Sequence, residues 1–112
     1  MDLEKWQSQL RKGVIEYGIL LFIRAHKRAY GLEIIEGLAS HGLLITEGTL
    51  YPLLSRLTRE DLLAPKWETE NLSGHPRKYY ELTKRGQKVV DIMSEQWGNL
   101  SRTFTSLDRF RK

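Results

Sequence analysis

The side chains able to do chemistry in this sequence are cations, hydroxyls and a phenol gathered on two stretches. On the first, Thr46, Gly48, Thr49, Tyr51, Ser55, Arg56 and Arg59 fall close together. Gly48 and Thr49 permit close approach, the hydroxyls and the phenol exchange hydrogen bonds, and the arginines suit phosphate or the paired acceptors of guanine. On the second, Gly74, His75, Pro76, Arg77 and Lys78 place two cations behind a tight polar tip, an arrangement suited to clamping phosphate. His75 reads as a solvated loop residue or a phosphate hydrogen bonder. It has no ligand-like spacing to His26 or His41, and the chain has no cysteine, so neither a metal nor a cofactor is expected. An enzyme is not expected either, because there is no thiol nucleophile, no Ser-His-Asp pattern and no pair of carboxylates in a predicted cleft.

These residues need elements to hold them. Over residues 11–26 the apolar side chains are too dense for a surface helix and predict a central buried one. Lys27, Arg28 and Ala29 interrupt it, and Tyr30, Ile34, Ile35, Leu38 and Ala39 then mark a second, amphipathic helix stopped by Gly42. Thr46 is a natural N-cap for a third helix, with Glu47 in its first turn where the helix dipole favours negative charge. Leu50, Leu53, Leu54 and Leu57 line one arc of it, leaving Gly48, Pro52, Ser55 and Arg59 on the opposite arc, flanked by Tyr51 and Arg56. Pro52 breaks the pattern, since proline inside a helix deletes a backbone hydrogen bond and costs up to about 3 kcal/mol. Such a broken rule often marks function.

Short stretches rich in Trp, Tyr and Leu, at 62–69 and 77–82, predict a two-stranded hairpin around a loop at 70–76, with one of Tyr79 and Tyr80 packed inward and the other accessible. Thr83 caps a final helix reaching about residue 110. Val90, Met93, Trp97, Leu100, Phe104 and Leu107 recur along it at alternating intervals of 3 and 4, a heptad seam. A helix of that length spans roughly 40 Å, more than a small domain covers by itself. Its first turns pack on the chain's own first helix, and the remainder meets a second copy, with Trp6 and Leu10 closing over the same interface. The order is that of a mainly α winged helix-turn-helix with a small β-hairpin: residues 1–82 form the DNA-binding domain and 83–112 a long C-terminal dimerisation helix.

Composition agrees. With 112 residues the chain fits one core, and 40% hydrophobic with 29% charged residues is a globular balance. The apolar run at 19–23 is far short of the roughly 20 residues a membrane helix needs. No secretory leader pattern opens the chain, so a cytoplasmic protein is expected, and the Asn-x-Ser strings at Asn71 and Asn99 read as chance matches. The formal charge of +4 is modest, but Arg77, Lys78, Lys84, Arg85 and Lys88 face only Glu81 within their stretch. Two other roles fit the same frame: a protein-binding winged helix, disfavoured by those cations, and a ligand sensor whose DNA site is secondary.

The strings Gln9-Leu-Arg-Lys-Gly13, Tyr30-Gly-Leu-Glu-Ile-Ile35, Glu47-Gly-Thr-Leu-Tyr-Pro-Leu-Leu-Ser-Arg-Leu57 and Pro76-Arg-Lys-Tyr-Tyr-Glu-Leu-Thr83, in this order, resemble the PadR family of bacterial transcriptional regulators over roughly residues 9–100. The resemblance implies a homodimer, usually a repressor, on a palindromic double-stranded DNA operator, released in some members by a small molecule. It puts Tyr30 at the start of the second helix, Thr46, Glu47, Gly48, Thr49, Tyr51, Pro52, Ser55 and Arg56 on the recognition helix, and Pro76, Arg77 and Lys78 on the wing. Proline after Thr-Leu-Tyr recurs in the family, which accounts for Pro52. The short chain is similar to the compact subgroup with a single C-terminal helix. In multidrug-sensing members of that subgroup, a tryptophan on this helix stacks flat aromatic ligands in a pore at the dimer axis. Trp97 is at the comparable place, where it either stacks such an effector, with Met93, Gln96, Leu100 and Asn99 around it, or packs in the interface.

Overall fold

The computed structural model describes residues 1–69 and 74–109. Its elements are α1 (Leu3–His26), β1 (Arg28–Tyr30), α2 (Gly31–Ser40), α3 (Glu47–Arg59), β2 (Leu63–Glu68), β3 (Arg77–Leu82) and α4 (Lys84–Asp108). Of the loop expected at 70–76, residues 70–73 lie outside the described ones. α1 starts well before the expected residue 11 because Asp2 caps it, its carboxylate accepting from the Lys5 amide at 3.1 Å. Lys27, at φ 68°, ends the helix and turns the chain into β1. Gly42, at φ +91°, closes the chain after α2 in a left-handed conformation that few other residues adopt without strain.

The expected two-stranded hairpin is a three-stranded antiparallel sheet in the order β1-β3-β2. β1 supplies the added strand, pairing Arg28 with Glu81, Ala29 with Tyr80 and Tyr30 with Tyr79. Three residues are too few to display the alternation by which a strand is recognised, so β1 left no periodic signal. One sheet face carries Ala29, Leu63 and Tyr80 into the core. The other carries Tyr30, Arg28 and Tyr79. Both adjacent tyrosines are therefore covered, correcting the expectation that one stays accessible: Tyr80 is 5% exposed in the core and Tyr79 only 9% exposed on the far face. The Tyr30 ring meets Tyr79 edge-on at 5.4 Å and the Arg28 guanidinium lies 4.0 Å above it.

A single apolar cluster joins α1 (Ile15, Ile19, Leu20, Ile23), α2 (Ile34, Leu38), α3 (Leu50, Leu54, Leu57), the sheet and α4. α4 joins it through Val90, which is wholly buried, and Thr83 caps α4 by accepting from the Gly86 amide at 2.9 Å. The heptad seam is thereby divided. Val90, expected in an interface between copies, is enclosed by its own chain and has no surface left for a partner, and Met93 packs against the same core. Trp97, Leu100, Phe104 and Leu107 remain exposed, as do Trp6 and Leu10 on α1. Among the described residues no helix is long and apolar enough to cross a membrane.

Leu54 has no exposed surface and stands at the centre of the α3 contact. Leu54→Ala is expected to lower unfolding stability by about 2–5 kcal/mol, the range for a truncated core leucine, read as a fall in the urea midpoint at unchanged slope. A change below about 1 kcal/mol would mean that α3 is not seated by its leucines.

Candidate nucleic-acid interface

Burial of Leu50, Leu54 and Leu57 sets the rotation of α3 and turns Thr46, Glu47, Gly48, Thr49, Tyr51, Pro52, Ser55 and Arg59 to solvent. The Thr46 hydroxyl caps the helix, accepting from the Thr49 amide at 3.3 Å. Pro52 lies on the exposed arc inside the helix, as the sequence reading required. Tyr51 leans back against α2, and its phenol lies so close to Gly31 that a Cβ there would overlap the ring. Tyr30, directly before Gly31, is the N-cap residue of α2, and Glu33 accepts from its amide at 3.1 Å.

Arg56 departs from the reading that made it a free contact for phosphate or guanine. Its guanidinium is bound by Glu16 of α1 and by Glu60, the latter at 3.3 Å. Burial alone would lower its affinity for the proton. The charge of Glu16, the hydrogen bonds that Arg56 donates to both carboxylates and the charge of Glu60 outweigh burial and raise the guanidinium above its ordinary value, so it stays charged and paired. Arg56 ties α3 to α1, a tie reinforced where Arg11 donates to the Leu44 carbonyl at 2.5 Å.

Beside α3 stands the hairpin. Arg77 lies 4.6 Å above the Tyr30 ring, and Lys78 approaches both Tyr80 and Trp67, at 5.6 and 5.9 Å from their ring centres. Arg28 pairs with Glu68 at 2.6 Å across the sheet. A cleft of about 450 Å³ separates hairpin from helix, with Tyr30, Tyr51, Ser55, Arg77 and Lys78 around it. His75 is exposed at the described end of the wing loop. The basic run after the hairpin is split, because Arg85 turns to the Glu60 carbonyl at the end of α3. The sequence reading missed Trp67, which lines the same cleft, and Glu16. Trp67 sits between Lys66 and Glu68 with no periodic signal, and Glu16 gains its role from a residue forty positions along the chain.

On the opposite side of α1, Met93, Gln96, Trp97 and Leu100 come together with Leu10, Gly13, Val14 and Tyr17 around a groove of about 410 Å³. Tyr17 donates to Ser94 at 2.9 Å and its ring is 6.2 Å from that of Trp97. Asn99, expected beside this groove, is outside it and accepts from Arg102 instead. Among the described residues no cluster of three or more histidines and carboxylates is suited to a metal.

Residues 19–92 match the transcriptional regulator PadR-like family. A transcriptional regulator of Mycobacterium tuberculosis is 31% identical over 71 residues, a match covering 63% of this chain and 64% of that protein, so the aligned region spans under two thirds of its length. The crystal structure of a PadR-like transcription factor from Bacteroides fragilis is similar at 41% identity with a TM-score of 0.75, over 92% of this chain and 98% of that one. A PadR-like transcriptional regulator from Bacillus cereus superimposes with a TM-score of 0.83 at 34% identity, over 92% and 99% of the two chains.

The contact between Gly31 and Tyr51 is testable by a double-mutant cycle. Gly31→Ala is expected to cost about 1–3 kcal/mol by overpacking, and Tyr51→Ala in the same chain should remove most of that penalty. Additive losses in urea unfolding would mean that the two residues do not meet.

Proposed function

This chain belongs to the PadR-like family of transcriptional regulators, and from that premise we propose that it binds a palindromic double-stranded DNA operator as a homodimer and represses transcription there. The observation that carries the reading is the exposed polar arc of α3 beside a cationic hairpin, both held by one core. Thr46, Gly48, Thr49, Pro52 and Ser55 form a face of small side chains, with the flat Tyr51 ring laid back against Gly31, so the helix reaches the base edges of a major groove. Arg77, Lys78 and His75 take the flanking phosphates, and Tyr30 supports them at the start of α2. Arg56 acts chiefly by holding α3 on α1.

The dimer forms through the stripe that one chain leaves uncovered. Trp97, Leu100, Phe104 and Leu107 are each between 47% and 65% exposed, and Trp6 and Leu10 about half exposed. An apolar stripe at helical spacing is self-complementary about a two-fold axis and suits burial against its own copy. Two recognition helices then meet half-sites about one helical turn apart. Release by an effector uses the groove between α1 and α4, where a planar aromatic molecule would stack on Trp97 beside Met93, Gln96 and Leu100. α1 lines that groove with Val14 and Tyr17 and grips α3 with Glu16, so a ligand that shifts α1 moves the recognition helices, provided it binds the two arrangements with different affinity.

The reading is tested by selecting bound fragments from the host genome and titrating one against the protein across a series of salt concentrations. Arg77→Ala with Lys78→Ala is expected to weaken binding at every sequence and to reduce the slope of log affinity against log salt by about 2. An unchanged slope would remove the wing from the phosphate backbone. Trp97→Glu is expected to give monomers in sedimentation and to weaken operator binding with them, since two half-sites must be held together. A Trp97→Glu chain that sediments as a dimer would refute the interface.

A further inference from the structure

We infer that Trp67 is a DNA-contacting residue, its indole packing on the sugar-phosphate backbone of the strand that enters the cleft between α3 and the hairpin; this rests on the DNA-binding reading above. The placement follows from strand register. Leu63 pairs with Leu82, Pro65 with Tyr80 and Trp67 with Lys78, so these side chains share the sheet face that carries Leu63 and Tyr80 into the core. Trp67 is the last large apolar residue on that face, at a point where the core has ended. It is 66% exposed, against 2% for Leu63 four residues earlier on the same strand. A large indole on an inward-facing position that stays two-thirds exposed is a surface suited to a partner.

The surroundings select that partner. Across the cleft lie the Tyr51 phenol and the Ser55 hydroxyl of the recognition helix; Lys78 pairs with Trp67 across the strands, its Nζ 5.9 Å from the ring centre, and Arg77, on the other sheet face over Tyr30, also lines the cleft. A backbone passing between them meets cations for its phosphates and an apolar plate for its deoxyribose, with the indole N–H as one further donor. An apolar protein surface or small apolar ligand would use the plate and leave the two cations uncompensated, so charge complementarity favours the nucleic acid. Trp67 thus adds affinity by contact with neutral sugar, whereas Arg77 and Lys78 add it by displacing counterions.

That difference defines the experiment. Wild-type protein and Trp67→Ala are titrated with a duplex retained by the wild type, across a salt series. Trp67→Ala is expected to lose roughly 10-fold or more in affinity, as interface tryptophans do, at every salt concentration and with a parallel salt slope. Equal affinity, or a loss that disappears as salt is raised, overturns the proposal. A second measurement avoids any effect of the truncation on folding: the tryptophan emission of the native chain minus that of Trp67→Phe reports Trp67, and bound duplex should shift this difference and shield it from acrylamide. Unaltered quenching on saturation with duplex overturns the contact. A wild-type chain that retains no duplex at all removes the DNA-binding reading and this inference together, whereas duplex binding that is indifferent to Trp67 removes this inference alone.

Discussion

The rotation of α3 about its own axis is the constraint from which the exposed surface follows. Leu50, Leu54 and Leu57 are the apolar side chains of this helix that are almost wholly removed from water, and they share one cluster with Ile15, Ile19 and Ile23 of α1. Burying a leucine side chain is worth about 1.5–3 kcal/mol, so turning the helix by even a quarter would expose several such contributions and bury hydroxyls without partners. The polar arc faces outward because the leucines leave it no other direction. The same seating explains why a proline inside the helix is tolerated: its lost hydrogen bond lies on the solvent side, where water can reach the orphaned carbonyl.

α1 packs against α2, α4, β1 and β3. Its central isoleucines build the core, Glu16 and Arg11 grip α3 and the turn before it, and Val14 and Tyr17 line the groove against α4. This one rod thus touches both the groove and α3, through ion pairs and packing instead of through a flexible linker. The Arg24–Asp91 pair, at 3.0 Å, adds a further bond between α1 and α4. Being largely exposed, that pair contributes little to stability by itself.

The sheet holds its cations by a different means. Arg28 and Arg77 lie over the rings of Tyr79 and Tyr30, which meet edge to face. Aromatic faces restrain a guanidinium without cancelling its charge, as a carboxylate would. Arg28 also has Glu68 as a partner, while Arg56 is enclosed by two carboxylates. Cations of one residue type are thus divided between structural and surface roles by which neighbours the fold brings to them.

Much was legible in the sequence because it depended on local physics. The caps at Thr46 and Thr83, the stop at Gly42, the leucine arc of α3 and the strands around the wing all arise from interactions within a few residues, and each was found in the structure. β1 was not legible, since a three-residue strand exists only through its pairing with β3. The covering of Tyr79, the enclosure of Val90 and the capture of Arg56 by Glu16 were hidden for the same reason. A periodic pattern says which side of an element is apolar, and the residues alone therefore determined the helices, the two hairpin strands, their order and the exposed arc. Which apolar or charged group meets which partner depends on contacts across tens of residues, and only the tertiary structure decided that Val90 completes its own chain's core while Trp97 and Trp67 remain at the surface.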